Sequence, residues 1–162
     1  MSFLVEWFID WPARAVRQLH LAPLGPLVAR IAVGYEFMFT GWGKLSDLPR
    51  IIETFRGLGI PFPEIMTPFV SGVEFFGGLF LLIGLLTRIS AGALGITMIV
   101  AIRSAKWADV DSLETLLGFD ETEYLALFLW LAIAGAGALS VDHWLEGWFR
   151  RQHAGTPPGR LH

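Results

Sequence analysis

Four long runs of apolar residues dominate the pattern of hydrophobic and polar positions along the chain. They cover residues 24–45, 68–86, 89–106 and 124–141. A helix of roughly 20 apolar residues crosses a bilayer core about 30 Å thick. The runs are continuous and lack the two-residue alternation of barrel strands, and a helix satisfies its own backbone in lipid. The pattern therefore predicts an all-α fold, an integral membrane four-helix bundle.

The two ends of the chain have a different pattern, in which aromatic and leucine residues recur at roughly helical spacing. These residues are Phe3, Leu4, Trp7, Phe8 and Trp11, and then Trp144, Leu145, Trp148 and Phe149. Amphipathic aromatic side chains favour the headgroup level of a membrane. We therefore predict interfacial helices over residues 1–22 and 143–153, on either side of a bundle domain over 23–142. The tail, residues 154–162, contains two prolines and is predicted to be disordered.

The links between the runs predict how the helices connect. Almost nothing separates the second and third runs, so residues 86–89 indicate a tight antiparallel hairpin. Residues 46–67 carry several glycines and prolines and indicate a re-entrant or surface loop with a turn at 59–61. Residues 107–123 are acidic and indicate a solvated loop. An even number of crossings places both chain ends on one side, and Arg150 and Arg151 just beyond the fourth run favour the cytoplasmic side.

Composition agrees with a membrane protein and excludes several other classes. Of the 162 residues, 54% are hydrophobic, and the mean hydropathy is +0.55. Only 17% are charged and the net charge is −3, so the basic face needed for a nucleic-acid partner is missing. The chain has no cysteine, and its four histidines lie outside the apolar runs, so we expect no metal site and no covalent cofactor. Redox chemistry would need a cofactor that this chain does not itself hold covalently or through a metal site.

Charged residues inside the apolar runs are the candidate functional groups. A charge near the centre of a membrane helix costs at least about 2.5 kcal/mol, so it usually faces a partner or a wet cavity. The helices alternate in direction, so five of these residues should gather in the membrane half opposite the chain ends. The five are Glu36, Lys44, Glu74, Arg103 and Glu123. Glu74 and Arg103 lie at similar predicted depth, which favours their pairing.

Two interpretations of this charged cluster remain open. It is either an ion-pair network that only stabilises the bundle, or the lining of a site for a ligand, a proton or a quinone head group. In the fourth run, Ser140 and Asp142 are expected to cap the end of the helix. No phosphate loop, Ser-His-Asp constellation or histidine-rich metal spacing occurs in the chain.

A set of residues, mainly glycines and charged residues, occurs in a specific order between residues 24 and 144. It consists of Arg30, Gly34, Gly41 and Lys44, then Gly59-Ile60-Pro61, then Glu74, Gly77-Gly78, Gly84 and Thr87-Arg88, and finally Gly135, Gly137, Ser140 and Asp142. In these residues the chain resembles the DoxX family of small bacterial membrane proteins.

The resemblance implies a multi-pass protein of the bacterial cytoplasmic (inner) membrane that is associated with redox chemistry. Members of the family are linked with thiosulfate oxidation coupled to quinone, and with oxidative-stress complexes that contain soluble partners. By the same resemblance, four charged residues are carried over as site candidates, namely Arg30, Lys44, Glu74 and Arg88. Glu36 and Arg103 join them from the charge pattern.

We therefore predict a membrane subunit of a quinone-linked oxidoreductase complex. A carrier or channel for a small solute or a proton is an alternative, and so is a membrane scaffold or assembly factor. Whether the chain is itself an enzyme stays open. Four short helices enclose little volume, so we expect a protein partner or a homo-oligomer in the lipid bilayer, and a quinone as the one candidate cofactor.

Overall fold

The computed structural model describes residues 24–154 of the chain. The interfacial helix predicted over residues 1–22 lies outside the described residues. The same holds for the tail predicted over 154–162, except that Ala154 is the last residue of a helix.

The described residues form helices joined by turns and contain no strand, which confirms the all-α prediction. The seven α-helices are α1 (Leu24–Ser46), α2 (Leu48–Gly57), α3 (Pro63–Ile83), α4 (Thr87–Ala101), α5 (Leu113–Leu117), α6 (Asp120–Ala134) and α7 (Val141–Ala154). A π-helical turn, Ile102–Lys106, and a 3-10 turn, Trp107–Asp109, continue α4. Two of these stretches, Pro63–Ile83 and Thr87–Asp109, are long and apolar enough to cross a membrane.

Four of the helices share one apolar core. Its buried side chains come from α1, α3, α4 and α6, and they are Val33, Phe37, Leu81, Ala91, Leu94, Met98, Phe128 and Leu131. Phe37 packs edge-on against Tyr124 and Phe128, with ring centroids 5.1 and 4.9 Å apart. Such edge-to-face contacts stabilise aromatic pairs beyond simple burial. The shared core places all four long helices side by side.

Glycines let α1 and α3 approach until their backbones touch. A Cβ atom at Gly41 would lie 2.3 Å from the backbone nitrogen of Phe75, and one at Gly78 would lie 2.3 Å from that of Met38. Small residues are what permits such close helix contacts in membranes. Charged side chains of α1 can therefore reach polar groups on α3.

The hairpin predicted between the second and third runs is confirmed. Helix α3 ends at Ile83 and α4 begins at Thr87. The turn between them uses the left-handed region at Gly84, with φ of 70°, and at Leu86, with φ of 49°. Glycine adopts that region without strain, so Gly84 is the natural end of α3.

The boundaries of the fourth helix differ from the prediction of residues 124–141. Helix α6 covers Asp120–Ala134, and the chain is then non-helical until α7 begins at Val141. Gly135 and Gly137 have φ of 83° and 76°, which no right-handed helix allows. The predicted fourth helix continued through this glycine-alanine stretch to residue 141, which was wrong.

Two predicted links also contain helix. Residues 46–67 form α2 and then a turn with Gly59 at φ of 71°. Helix α3 begins at Pro63, five residues before the predicted start at 68, so Glu74 lies near the middle of its helix and not close to one end. The acidic link contains the short helix α5, whose N-terminus is capped by the Ser112 hydroxyl accepting from the Thr115 N–H.

Candidate functional site

A buried ion pair joins α1 to the middle of α3. Lys44 lies in the last turn of α1, and its Nζ donates to Glu74 Oε1 at 2.6 Å. The side chain of Glu74 is only 4% exposed, whereas that of Lys44 is 28% exposed. The contact is possible because Gly41, one turn before Lys44, lets α1 touch the backbone of α3 at Glu74 and Phe75. The Lys44–Glu74 pair therefore places charge between two closely packed helices.

Glu74 belongs to a line of buried polar side chains along one face of α3. Thr67, Ser71 and Glu74 are spaced four and three residues apart. The exposed fractions of the whole residues are 0%, 0% and 3%. Thr67 Oγ1, Ser71 Oγ and Glu74 Oε2 have no hydrogen-bond partner in the described part of the chain. A buried polar atom without a partner costs about 1–3 kcal/mol, so three in a row call for an explanation. We call Lys44, Thr67, Ser71 and Glu74 the polar file.

The structure pairs Glu74 with Lys44 and not with Arg103, which corrects the expected partner. Arg103 lies in the π-helical turn after α4, is exposed, and places its guanidinium 5.7 Å from the ring centroid of Trp107. Glu36 and Glu123 are exposed as well. Of the five residues expected to gather, the structure brings Lys44 and Glu74 into contact. The close contact between α1 and α3, which charge spacing does not reveal, selects this pair.

A second polar centre surrounds Arg30 at the opposite end of α1. Arg30 is fully buried, and its Nη2 donates to the backbone oxygen of Leu139 at 2.6 Å. A Cβ atom at Gly84 would lie 1.8 Å from Arg30 Nη1, so the guanidinium occupies the space that a side chain there would need. Arg30 therefore joins α1 to the hairpin turn and to the non-helical segment before α7. It lies about 21 Å along the helix from Lys44.

Asp142 completes this second centre and was not among the sequence candidates. Its carboxylate accepts from the backbone N–H groups of Leu86 and Thr87 at 2.7 and 3.0 Å, and its own N–H donates to the oxygen of Gly84 at 2.9 Å. An acid at a helix N-terminus stabilises the free N–H groups and the helix dipole. Its charge also acts on Arg30.

The caps at this end differ from the prediction. Ser140 does not cap the end of the fourth helix, because its hydroxyl accepts from the His143 N–H at 3.2 Å at the start of α7. Asp142 caps α4, far away in sequence. One sequence signal pointed to this: Leu86 precedes α4 and has no side chain that can accept a hydrogen bond, so the acceptor must come from elsewhere.

Asp142→Ala should lower the free energy of unfolding by about 2 kcal/mol, because two backbone N–H groups lose their acceptor. Thermal unfolding of the purified protein in detergent would measure this. Glu146→Ala, which removes an exposed acid one turn later on α7, is the matched control and should change stability by less than about 0.5 kcal/mol. Equal losses in the two variants would contradict the capping role.

Arg88 lies beside the second centre. It is exposed, and a Cβ atom at Gly135 would lie 3.2 Å from its Nε. The six sequence candidates are thus divided among separate places: Lys44 and Glu74 in the polar file, Arg30 and Arg88 near the hairpin turn, and Glu36 and Arg103 exposed. Among the described residues, no group of three or more His, Asp or Glu side chains could hold a metal ion.

The acidic link, residues 107–123, contains hydrogen bonds between its own side chains. Thr115 Oγ1 donates to Asp111 Oδ1 at 2.5 Å. Hydrogen bonds from the hydroxyls of Thr115 and Ser112 lower the pKa of Asp111, because they favour the charged carboxylate. Asp111 is fully exposed, so this contact orders the link without adding measurably to stability.

The polar residues lie in a region that this chain shares with known proteins. The family model described as DoxX matches residues 25–107, which include all six sequence candidates. The chain is 35% identical to the "Inner membrane protein YqjF" of Escherichia coli (strain K12) over 128 residues, 78% of this chain and 95% of that protein. It is 29% identical to the "Putative oxidoreductase CatD" of Bacillus subtilis (strain 168) over 121 residues, 74% of this chain and 85% of that protein. No solved structure matches the chain significantly.

Proposed function

The chain belongs to the DoxX family of membrane proteins, and we propose that it is the membrane subunit of a quinone-linked oxidoreductase complex. The complex would be of the thiosulfate-oxidation or oxidative-stress type. In this proposal α1, α3, α4 and α6 are four membrane spans of the bacterial inner membrane. Both chain ends lie on the cytoplasmic side, and α7 lies in the interface. The shared apolar core supports the packing of these four helices as one bundle.

The observation that carries the functional proposal is the polar file. A lysine–glutamate pair and two buried hydroxyl groups lie among apolar helices, where charge is costly and usually has a function. Helix packing alone does not require them, because apolar residues of similar volume often replace a buried ion pair without loss of stability. The file therefore fits a site better than a purely structural contact.

The residues of the file fit the head group of a quinone. The Lys44 ammonium and the Ser71 hydroxyl can donate to a ring oxygen, and Glu74 Oε2 can accept a proton or deliver one. Trp42 and Phe75, whose ring centroids lie 5.7 Å apart with the ring planes tilted by 44°, place apolar ring surface beside the file. A quinone held there would supply two-electron, two-proton acceptor chemistry. Glu74 would hold one of these protons at Oε2, and Lys44 would stabilise the carboxylate after the proton has left.

The electrons would come from a soluble partner. The chain has no cysteine, so it forms no thiol relay or iron–sulfur centre of its own. The relative whose name includes "oxidoreductase" is consistent with a redox setting. A membrane subunit that binds the carrier and handles its protons is the role that these side chains support.

Ser71→Ala should abolish the copurification of quinone while leaving stability within about 1 kcal/mol of wild type, because the removed hydroxyl has no protein partner. Solvent extraction of the purified protein, followed by chromatography, would measure quinone per protein. Ser90→Ala is the matched control, since Ser90 is a buried serine on α4 outside the file. Wild-type protein without quinone, or a Ser71→Ala variant that retains it, would refute the proposal.

A carrier for a small solute or a proton is the second candidate, because the file continues along α3 over two helical turns. Reconstituted vesicles distinguish the two functions. Proton flux that needs no quinone and is lost in Ser71→Ala would favour the carrier. Vesicles that show no proton flux, reconstituted from protein that retains quinone, would favour the oxidoreductase subunit.

A further inference from the structure

A groove of about 910 Å³ lies at the other end of the molecule from the polar file. The hairpin turn, the non-helical segment after α6 and the first turns of α7 form its walls. This volume falls within the range of ordinary ligand sites. Nine residues separate Glu74 from the end of α3 at Ile83, or about 14 Å along the helix, so the groove is distinct from the file.

One buried polar group and two arginines line this groove. Thr87 is fully buried, and its hydroxyl has no hydrogen-bond partner in the described part of the chain. Arg88 and Arg150 come from separate helices, and both are exposed. No ion pair among the described residues involves either arginine. The guanidinium of Arg88 lies over Gly135, where the absence of a side chain leaves room for it.

Two acids line the groove together with the two arginines. Asp142 is one of them, but its carboxylate already accepts from two backbone N–H groups and interacts electrostatically with Arg30. Glu146 is the other acid, and it is exposed. Two arginine side chains and a hydroxyl are the donors that phosphate oxygens prefer.

The position of the groove relative to the candidate membrane spans indicates a lipid as the source of a bound phosphate group. The candidate spans Pro63–Ile83 and Thr87–Asp109 end and begin beside it, so it lies where lipid headgroups meet the protein. Apolar side chains of Ile89, Ala134 and Leu145 form the rest of the wall. Basic pockets between membrane helices bind anionic headgroups in this way. We propose that the groove binds the phosphate of an anionic phospholipid between Arg88, Arg150 and Thr87, with an acyl chain along its apolar wall.

Native mass spectrometry of the full chain, released from an equimolar mixture of phosphatidylglycerol and phosphatidylcholine, tests this proposal. Wild type should retain phosphatidylglycerol preferentially. The double variant Arg88→Gln/Arg150→Gln should weaken that preference at least about tenfold, because each basic residue adds to the attraction. Arg151→Gln removes the next arginine of α7, which does not line the groove, and should behave as wild type.

Thr87→Val supplies a second variant that removes only the hydroxyl and should reduce the preference while the melting temperature stays close to that of wild type. Excess glycerol 3-phosphate should not displace the lipid, since it lacks an acyl chain. Displacement would assign the groove to a soluble phosphate compound and overturn the lipid proposal. Equal retention of both lipids by wild type, or an equal loss in Arg151→Gln, would overturn it too. None of these results depends on quinone, so the function proposed for the polar file is tested separately.

Discussion

Lys44→Met should lower the free energy of unfolding by about 3 kcal/mol, because it leaves the carboxylate of Glu74 buried without its cation. The estimate is at the low end for a buried pair, since the Lys44 side chain is 28% exposed. Glu74→Gln should cost less, because it removes the buried charge. The double variant Lys44→Met/Glu74→Met should recover most of the loss, because apolar side chains then replace both charges.

Reversible unfolding in mixed detergent micelles would measure these stabilities as a double-mutant cycle. Arg50→Met is the control, since it breaks an ion pair with Asp47 in which both side chains are exposed, and it should cost less than about 1 kcal/mol. Additive losses in the Lys44/Glu74 cycle would show that the two side chains do not interact.

The same double variant separates the two interpretations of the charged cluster. If the pair only stabilises the bundle, the variant with two methionines should keep any activity or ligand that wild type has. If the pair belongs to a site, stability returns but copurified quinone does not. The proposal predicts the second result, and recovery of both stability and quinone would leave the pair as a structural contact.

Gly41→Ala or Gly78→Ala should destabilise the protein by about 3 kcal/mol, at the upper end of the cost of overpacking. The added Cβ atom would lie 2.3 Å from a backbone nitrogen in each case, so a side-chain rotation cannot relieve the clash and the two helices must separate. Folded yield and unfolding free energy in detergent would measure the effect. Separation should also weaken the Lys44–Glu74 coupling in the double-mutant cycle.

The chain supplies matched controls on the same two helices. A Cβ atom added at Gly43 or Gly72 would meet no other atom within 4 Å, so alanine fits at both positions. Gly43→Ala and Gly72→Ala should be neutral or slightly stabilising, because alanine has the higher helix propensity. A loss for Gly43→Ala as large as that for Gly41→Ala would show that backbone contact is not the cause.

The partners of the charged residues show where prediction from sequence stopped. Lys44 and Glu74 were both identified, since charges inside apolar runs are visible in any sequence. Their pairing was not, because it depends on how closely two helices approach. Gly41 sets that distance, and Arg103, at similar predicted depth, lies instead against Trp107. The same limit applies to Asp142, whose role as a cap depends on α4, a helix distant in sequence.

The sequence by itself determined that this is a helical membrane protein of the DoxX family, where its hairpin turns and which charged residues interrupt its apolar runs. These properties depend on local hydrophobicity and on residues whose order along the chain is specific. Only the tertiary structure decided that Lys44 meets Glu74, that the fourth helix stops at Ala134, and that Arg30 and Asp142 hold the hairpin end together. The end of the fourth helix depends on the positive φ that Gly135 and Gly137 adopt in the folded chain. The other outcomes depend on distances between helices, because hydrogen bonds and ion pairs act over a few ångströms and the local sequence does not show which groups come that close.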